Sequence, residues 1–222
     1  MIDLEPLALS FEVALAATAS ATVIGVSCAG VLTVKRFRGR ELLDAAITAP
    51  MVLPPTVLGY YLLVLLGRAS ALGHAFERLF GSTIVFTRGG AVLAATIGAL
   101  PLITKSARAA LENVDFRLIG AARSLGASPL RAFTTVSLPL ARRGIAAGVM
   151  LGFARALGDF GVTLMVAGNI PGYTRTASLA IYDAVLAGRD EDALWLSAIL
   201  TLLAIAILVF AGYWTQGARD ER

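Results

Sequence analysis

The chain has 222 residues, of which 57% are hydrophobic and only 15% are charged. Soluble domains carry about 25% charged residues, so this composition argues against a soluble enzyme or a soluble binding domain. The formal net charge of +4 does not indicate nucleic-acid binding, because that function needs a soluble basic face.

Five apolar stretches are candidates for membrane-spanning helices, each of which needs about 20 apolar residues. In chain order, the predicted spans cover residues 13–34, 45–67, 89–104, 144–169 and 193–218. The third is short, and we expect the basic side chains that follow it to reach the membrane surface. The sequence therefore predicts an all-α, polytopic membrane protein with about five spans, forming a single domain over the whole chain.

Acidic residues precede the first span, namely Asp3, Glu5 and Glu12, and there is no basic segment before it. A cleaved signal peptide begins with a basic segment, so we expect the first span to remain as a membrane helix.

Three prolines, Pro50, Pro54 and Pro55, lie within the second predicted span. Proline has no N–H group to continue the helical hydrogen-bond ladder. Unwound backbone at membrane depth is tolerated where it lines a cavity or is buried in protein. Two interpretations are open: an unwound segment beside a functional cavity, or a static kink.

Basic residues are distributed unevenly between the two sets of segments that five spans define. The set containing the N-terminus holds five of them, and the opposite set holds 13. The five are Arg68, Arg78, Arg88, Arg175 and Arg189. Because Lys and Arg are enriched in cytoplasmic segments, the sequence predicts an external N-terminus and a cytoplasmic C-terminus.

A long cytoplasmic loop, about residues 105–143, contains two short helical patterns. Asp115 suits the N-cap of the first, and Gly126 suits its end because glycine adopts positive φ without a steric penalty. Ser128 and Pro129 suit the N-cap and the first position of a second helix, which we expect to run to about Ser137, before Pro139. A simple connection would be shorter, so we expect this loop to dock a partner. The alternative is an amphipathic helix resting on the membrane surface.

Arg155 and Asp159 are the charged residues inside the fourth predicted span. Their spacing places them on one face of a helix, and a charged face at membrane depth should point into protein or a water-filled cavity. They form either a structural pair at a helix interface, or a site where Arg155 supplies positive potential to an anion path. The segment that follows, residues 170–183, is expected to form an external loop with a short helix.

Catalytic chemistry is not indicated. The chain has a single histidine, His74, and a single cysteine, Cys28, with no metal-binding cluster, phosphate-binding loop or nucleophile–base motif. We therefore expect no catalytic residue, no metal site and no enzyme activity in this chain. A secondary transporter would usually show repeated topology and more intramembrane ionisable groups.

Residues 120–139 resemble the cytoplasmic EAA loop in the permease subunits of ATP-binding-cassette (ABC) importers. The family pattern is Glu-Ala-Ala, three residues, Gly, nine residues, then Ile-x-Leu-Pro. The residues that match it at the same spacing are Ala121, Ala122, Gly126, Leu138 and Pro139. Gly120 stands in place of the glutamate, so any polar contact of that glutamate is absent here. Gly120, Ala121 and Ala122 are small and would let a partner backbone approach closely. The resemblance implies that this loop is the coupling helix, which sits in a groove of the ATPase subunit.

Three further stretches, residues 49–68, 86–102 and 153–182, resemble the permease subunit of molybdate importers, the ModB type. Tungstate and sulfate permeases are close relatives, so those anions stay as alternatives. The resemblance implies a homodimer in the bacterial inner membrane, two cytoplasmic ATPase subunits that use ATP, and an extracytoplasmic oxyanion-binding protein. It implies no cofactor bound by this chain.

Overall fold

The computed structural model describes residues 4–34 and 37–216, and every regular element in this part of the chain is helical. Three long single helices are α1 (Glu5–Val34), α5 (Arg88–Glu112) and α11 (Asp190–Gln216). A fourth long helical segment runs from Pro129 to Leu157 and has 29 residues. It consists of α7 (Pro129–Ala132), a π-helical turn (Phe133–Ser137) and α8 (Leu138–Leu157). These four are long and apolar enough to cross a membrane.

A fifth candidate span is broken in its middle. Helices α2 (Arg40–Val52) and α3 (Pro55–Leu66) meet at an angle of 117°, with Leu53 and Pro54 between them. Leu53 has an extended backbone, and neither Pro54 nor Pro55 can donate a backbone hydrogen bond. The prolines therefore produce an unwound break rather than a smooth kink.

The bent pair follows the length of α5. Asp44 of α2 pairs with Arg108 near the C-terminal end of α5. Leu58 of α3 clusters with Val85 and Ala94 near the opposite end of α5. The pair thus begins beside one end of α5 and finishes beside the other. Counted as one broken span, it brings the candidate membrane crossings in the described residues to five.

Four shorter helices complete the described part of the chain: α4 (Ala71–Phe80), α6 (Phe116–Ser124), α9 (Gly161–Ala167) and α10 (Ala177–Leu186). The short helix expected after residue 170 is α10, which packs on α11 and α1. Its first N–H group, on Ala177, donates a buried hydrogen bond of 2.7 Å to Oγ of Ser10. This bond fastens the segment to the start of α1.

Helix α5 lies at the centre and packs against α1, α8, α9 and α2. Its contact with α1 is made largely by alanines, including Ala17 and Ala21 of α1 with Ala91, Ala95 and Ala99 of α5, all of which are buried. Small side chains let two helix backbones approach closely, which is how apolar helices associate in lipid.

The contact between α5 and α8 depends on Gly144, Gly148 and Gly152, which lie four residues apart on one face of α8. A Cβ atom built on Gly148 would lie 2.5 Å from the Cβ of Ser106. One built on Gly152 would lie 2.5 Å from Cγ1 of Ile103. Both distances are far inside van der Waals contact, so only glycine permits the observed separation of the helices.

Several predicted span boundaries were wrong. The first helix begins at Glu5 rather than at residue 13, and the third continues to Glu112, beyond residue 104. The fourth, predicted over residues 144–169, begins at Pro129 and ends at Leu157. The predicted end of the last span, at residue 218, lies outside the described residues. Apolar runs mark the part of a helix that lies in lipid, whereas the hydrogen-bond ladder continues past charged residues at the membrane surface.

The second short helix of the loop predicted over residues 105–143 was also wrongly bounded, because it does not end near Ser137 but continues into α8. The N–H group of Leu138 bonds to the carbonyl of Phe133, five residues back, and the chain continues into α8. Pro139 lies in the first turn of α8, where its missing N–H is tolerated. The widened π turn thus precedes the proline and joins α7 to α8.

We predict that Gly148→Ala destabilises the protein by about 1–3 kcal/mol, because the added methyl group must push α8 away from Ser106. The matched control is Gly89→Ala, where the nearest atom to an added Cβ is Oγ1 of Thr87 at 3.5 Å. Thermal unfolding of the detergent-purified variants measures the difference. Equal unfolding temperatures for the two variants would contradict the packing argument.

Candidate functional site

The segment with α6 and α7 is capped as its sequence indicates. The Asp115 carboxylate accepts a hydrogen bond of 2.8 Å from the N–H of Arg117 and opens α6. The Ser128 hydroxyl accepts one of 3.2 Å from the N–H of Arg131 and opens α7, with Pro129 in the first turn. Both caps satisfy N–H groups that lack a partner inside the helix.

The turn after α6 is a Schellman motif centred on Gly126. The N–H of Ala127 donates to the carbonyl of Ala122, and the N–H of Gly126 donates to the carbonyl of Arg123. Gly126 has φ of +88°, the left-handed region in which a Cβ atom is strained. No atom lies within 4 Å of the position a Cβ would take, so the backbone angle alone selects glycine here.

Helix α6 has no buried residue. Gly120 and Ala121 are exposed and Ala122 is half-buried. Large apolar side chains around the turn are also exposed: Leu125 is 89% exposed, Leu130 is 73% exposed and Phe116 is 77% exposed. A protruding helix with small residues and exposed apolar side chains is suited to dock in a groove of another protein.

The base of this segment is firmly packed. Phe133 of the π turn lies so close to α1 that a Cβ on Gly30 would be 2.9 Å from the tip of its ring. Leu138 and Phe133 pack on a buried cluster that includes Ala29 and Ala141. The base of the segment is therefore packed against the spanning helices rather than held in a loose loop. The contact between Gly30 and Phe133 was not predicted from the sequence, since the two residues lie about 100 positions apart in the chain.

The second candidate site is centred on Arg155, which lies about 26 Å along α8 from Leu138, by the helical rise of about 1.5 Å per residue. Here Nη1 of Arg155 is 2.9 Å from Oδ1 of Asp159. The other carboxylate oxygen of Asp159 accepts hydrogen bonds from the N–H of Thr163 at 3.0 Å and from its Oγ1 at 2.6 Å. Thr163, which the sequence analysis did not single out, thus completes the site.

The expectation that both charges lie on one helix face was wrong. Helix α8 ends at Leu157, so Asp159 lies in the turn between α8 and α9. Its carboxylate bonds to the first turn of α9 and to Arg155 in the last turn of α8, and so joins the two helices. A break in the ladder here is stabilised because a buried carboxylate occupies the N-terminal end of α9.

An open cavity of about 510 Å³ adjoins the pair. It is lined by Pro55 and Thr56 of α3, by Ala154 and Arg155, and by residues 158–161. The two helix breaks meet at this cavity, because a Cβ on Gly161 would lie 2.8 Å from the Cβ of Pro55. Behind the pair, the guanidinium of Arg155 lies 3.5 Å from the position of a Cβ on Gly98.

The two charged groups differ in what they can still bind. The side chain of Asp159 is 2% exposed and both its oxygens accept hydrogen bonds, so its role is to hold the local structure. The side chain of Arg155 is 35% exposed and lines the cavity. A guanidinium has five N–H donors, so Arg155 retains donors that can bind an anion.

Comparison with known proteins identifies the family. The sequence pattern of the inner membrane component of binding-protein-dependent transport systems matches residues 21–222. The chain belongs to this family. The matched region contains both candidate sites and every long helix except residues 5–20 of α1.

Curated members of this transport family are similar over almost their whole length. The molybdenum transport system permease protein ModB of Escherichia coli (strain K12) is 40% identical, over 96% of this chain and 93% of that protein. The ModB protein of Haemophilus influenzae is 37% identical, over 97% and 94%. An inward-facing structure of the MetNI methionine ABC transporter has the same fold, with a TM-score of 0.75 at 18% identity over 97% of this chain and 95% of that one.

We predict that Gly126→Val strains the turn by about 1 kcal/mol or more, because a β-branched residue disfavours positive φ. Hydrogen exchange of the amides at residues 121–127 should accelerate about fivefold. Gly126→Asn is the control, since asparagine tolerates this conformation better than other residues with a Cβ. Exchange in the valine variant as slow as in the wild type would show that the Schellman turn does not depend on glycine.

Proposed function

We propose that this chain is the permease subunit of an ATP-driven molybdate importer. The observation that carries the proposal is the similarity to molybdenum transport permeases over nearly the whole of both chains. Tungstate and sulfate are the alternative substrates, because they are also tetrahedral dianions. A secondary transporter is less consistent with the family match.

A separate cytoplasmic ATPase drives the cycle and docks on α6, with one copy for each permease subunit. Supporting this, α6 protrudes with Phe116, Leu125 and Leu130 exposed, while Phe133 anchors its base. The ATPase binds and hydrolyses ATP, and we expect this chain to bind no cofactor. The role of the chain is to convert closure of the ATPase pair into helix movement.

Two copies of the chain surround the transport path. Five crossings from one chain are too few to enclose a hydrophilic path, so a two-fold dimer is expected. The Arg155 cavity is open on one side of the single chain, beside α3. Tyr60, Tyr61 and Val64 of α3 are exposed on the same helix, which suits a face that a second copy covers.

Within the path, Arg155 binds the oxyanion transiently. Its guanidinium faces an open cavity, and its charge is offset by Asp159. Partial neutralisation suits a transport site, since an anion must bind and then leave. Asp159 and Thr163 keep the guanidinium at the break between α8 and α9.

The N-terminus lies outside a bacterial inner membrane and the C-terminus lies in the cytoplasm. This orientation follows from the excess of Lys and Arg on the side that carries α6. The external side then carries the segment with α10, where an oxyanion-binding protein releases its bound oxyanion. An impermeant thiol reagent should label a cysteine placed at Gly73 in intact cells, and one at Ala127 only after permeabilisation.

The complete cycle is alternating access. The loaded binding protein docks outside, ATP closes the ATPase pair, and α6 carries this movement to α5 and α8. The cavity then opens outward, receives the anion beside Arg155, and opens inward after hydrolysis. No bond of the oxyanion is made or broken in these steps.

We expect the complex of this chain with its ATPase and binding protein to take up radioactive molybdate into proteoliposomes, driven by ATP. Excess tungstate or sulfate in the same assay identifies the alternatives by competition. Uptake without ATP, or sulfate uptake that molybdate fails to inhibit, would overturn the proposed function.

Arg155→Gln should reduce molybdate uptake about tenfold or more, because it removes a charged hydrogen-bond donor, while Arg155→Lys should retain partial uptake. Adding Asp159→Asn to Arg155→Gln removes both charges and tests the structural alternative. Restored uptake in that double variant would show that Arg155 only neutralises Asp159. Continued low uptake with normal assembly supports the role in the path.

A further inference from the structure

Helix α2 is weakly attached to the rest of the chain by apolar contacts. Of its described residues only Ile47 is buried, and its packing is with α5. Several large apolar side chains of α2 are exposed, with Leu42 75% and Val52 80% exposed. Its position therefore depends strongly on polar contacts with α5.

Those contacts centre on Asp44. Nζ of Lys105 lies 3.0 Å from each of its carboxylate oxygens, and Nη1 of Arg108 lies 3.2 Å from Oδ1. Asp44 thus receives two cations from successive turns of α5. A carboxylate held by two cations resists displacement more than a single exposed ion pair, because both contacts must be lost together.

The same network reaches the end of α5. Nε of Arg108 lies 2.8 Å from Oε1 of Glu112, and Nη2 of Arg40 lies 3.9 Å from that oxygen. Glu112 is the last residue of α5, and α6 begins at Phe116. The ion pairs therefore join α2 to the part of α5 that is closest to the docking helix.

Both ends of α2 allow it to pivot. At its start, Gly39 has φ of +95°, a conformation that other residues rarely adopt. At its end lies the break at Leu53 and Pro54, after which Pro55 lines the Arg155 cavity. A helix with a break at one end and a glycine at the other can move as a rigid lever.

We infer that Asp44 is a positioning residue for energy coupling, and that its ion pairs with Lys105 and Arg108 make α2 move together with α5. A displacement of α6 then reaches Pro55 and the Arg155 cavity by way of α5, Asp44 and α2. This inference rests on the proposed function, since it assigns a path for the movement that the ATPase generates. Loss of Asp44 should leave docking and ATP hydrolysis intact but separate them from transport.

The test compares Asp44→Asn, Asp44→Glu and the control Glu41→Gln in the complex with its ATPase and binding protein. Glu41 is exposed on the same helix, and within the described residues it forms no ion pair. Molybdate uptake per ATP hydrolysed should fall about fivefold or more in Asp44→Asn, the range of a typical coupling between sites. It should stay near the wild-type value in the other two variants.

A cross-link provides the second test, which does not depend on the tolerance of α2 for asparagine. Asp44→Cys and Lys105→Cys are combined with Cys28→Ser, so that a short bifunctional thiol reagent can join α2 to α5. Without the reagent this variant should be uncoupled, and the cross-link should restore uptake per ATP. Such a rescue is not expected if Asp44 only stabilises the fold.

The outcomes distinguish failure of the proposed function from failure of the coupling role of Asp44. Wild-type complex that hydrolyses ATP without taking up molybdate would overturn the proposed function. Wild-type complex that is active, together with Asp44→Asn of unchanged uptake per ATP, would overturn the coupling role alone. A cross-linked protein that remains uncoupled would also overturn it, because a held link between α2 and α5 would then not be sufficient.

Discussion

The close approach of α8 to α5 is the constraint on which the other features depend. In lipid, apolar side chains gain little by moving from the bilayer to a helix interface, so helices associate through close packing of small residues. Gly144, Gly148 and Gly152 make this contact, and the alanines of α1 make the corresponding one on another side of α5. With α5 held between two close neighbours, its position is fixed relative to the segment with α6 and to the cavity.

Because α1, α5 and α8 pack closely together, the chain tolerates breaks in its other helical segments. The interruptions at Leu53–Pro54 and at Asp159 leave backbone groups without helical partners, which is unfavourable in lipid. They lie side by side, with Gly161 against Pro55, and Asp159 satisfies the start of α9 through Thr163. The breaks create an open cavity with an arginine at its wall, so a local departure from helical geometry produces the polar site of a largely apolar protein.

Charge is used differently at the two ends of the spanning helices. At membrane depth the carboxylate of Asp159 is buried, and both its oxygens accept hydrogen bonds, because an unpaired charge there is very unfavourable. At the end of α5 nearest α6 the network of Arg40, Asp44, Lys105, Arg108 and Glu112 is partly exposed. Partly exposed ion pairs hold helices in register, although each contributes less stability than the packing of buried apolar side chains. Through these ion pairs α2 follows α5 during a transport cycle, while α1, α5 and α8 remain packed together.

Features set by neighbouring residues could be predicted from the sequence alone. The caps at Asp115 and Ser128, the glycine turn at Gly126, the proline break in the second span and the all-α membrane fold each depend on residues within one or two helical turns. The spacing of Gly144, Gly148 and Gly152 was also visible in the sequence, although its meaning required the partner helix. Only the tertiary structure decided where α8 ends, why Asp159 belongs to the start of α9, and which helix Phe133 and Asp44 contact. Those contacts join residues far apart in the chain, and a pattern read along the chain carries no information about which distant side chain will lie within hydrogen-bonding or packing distance.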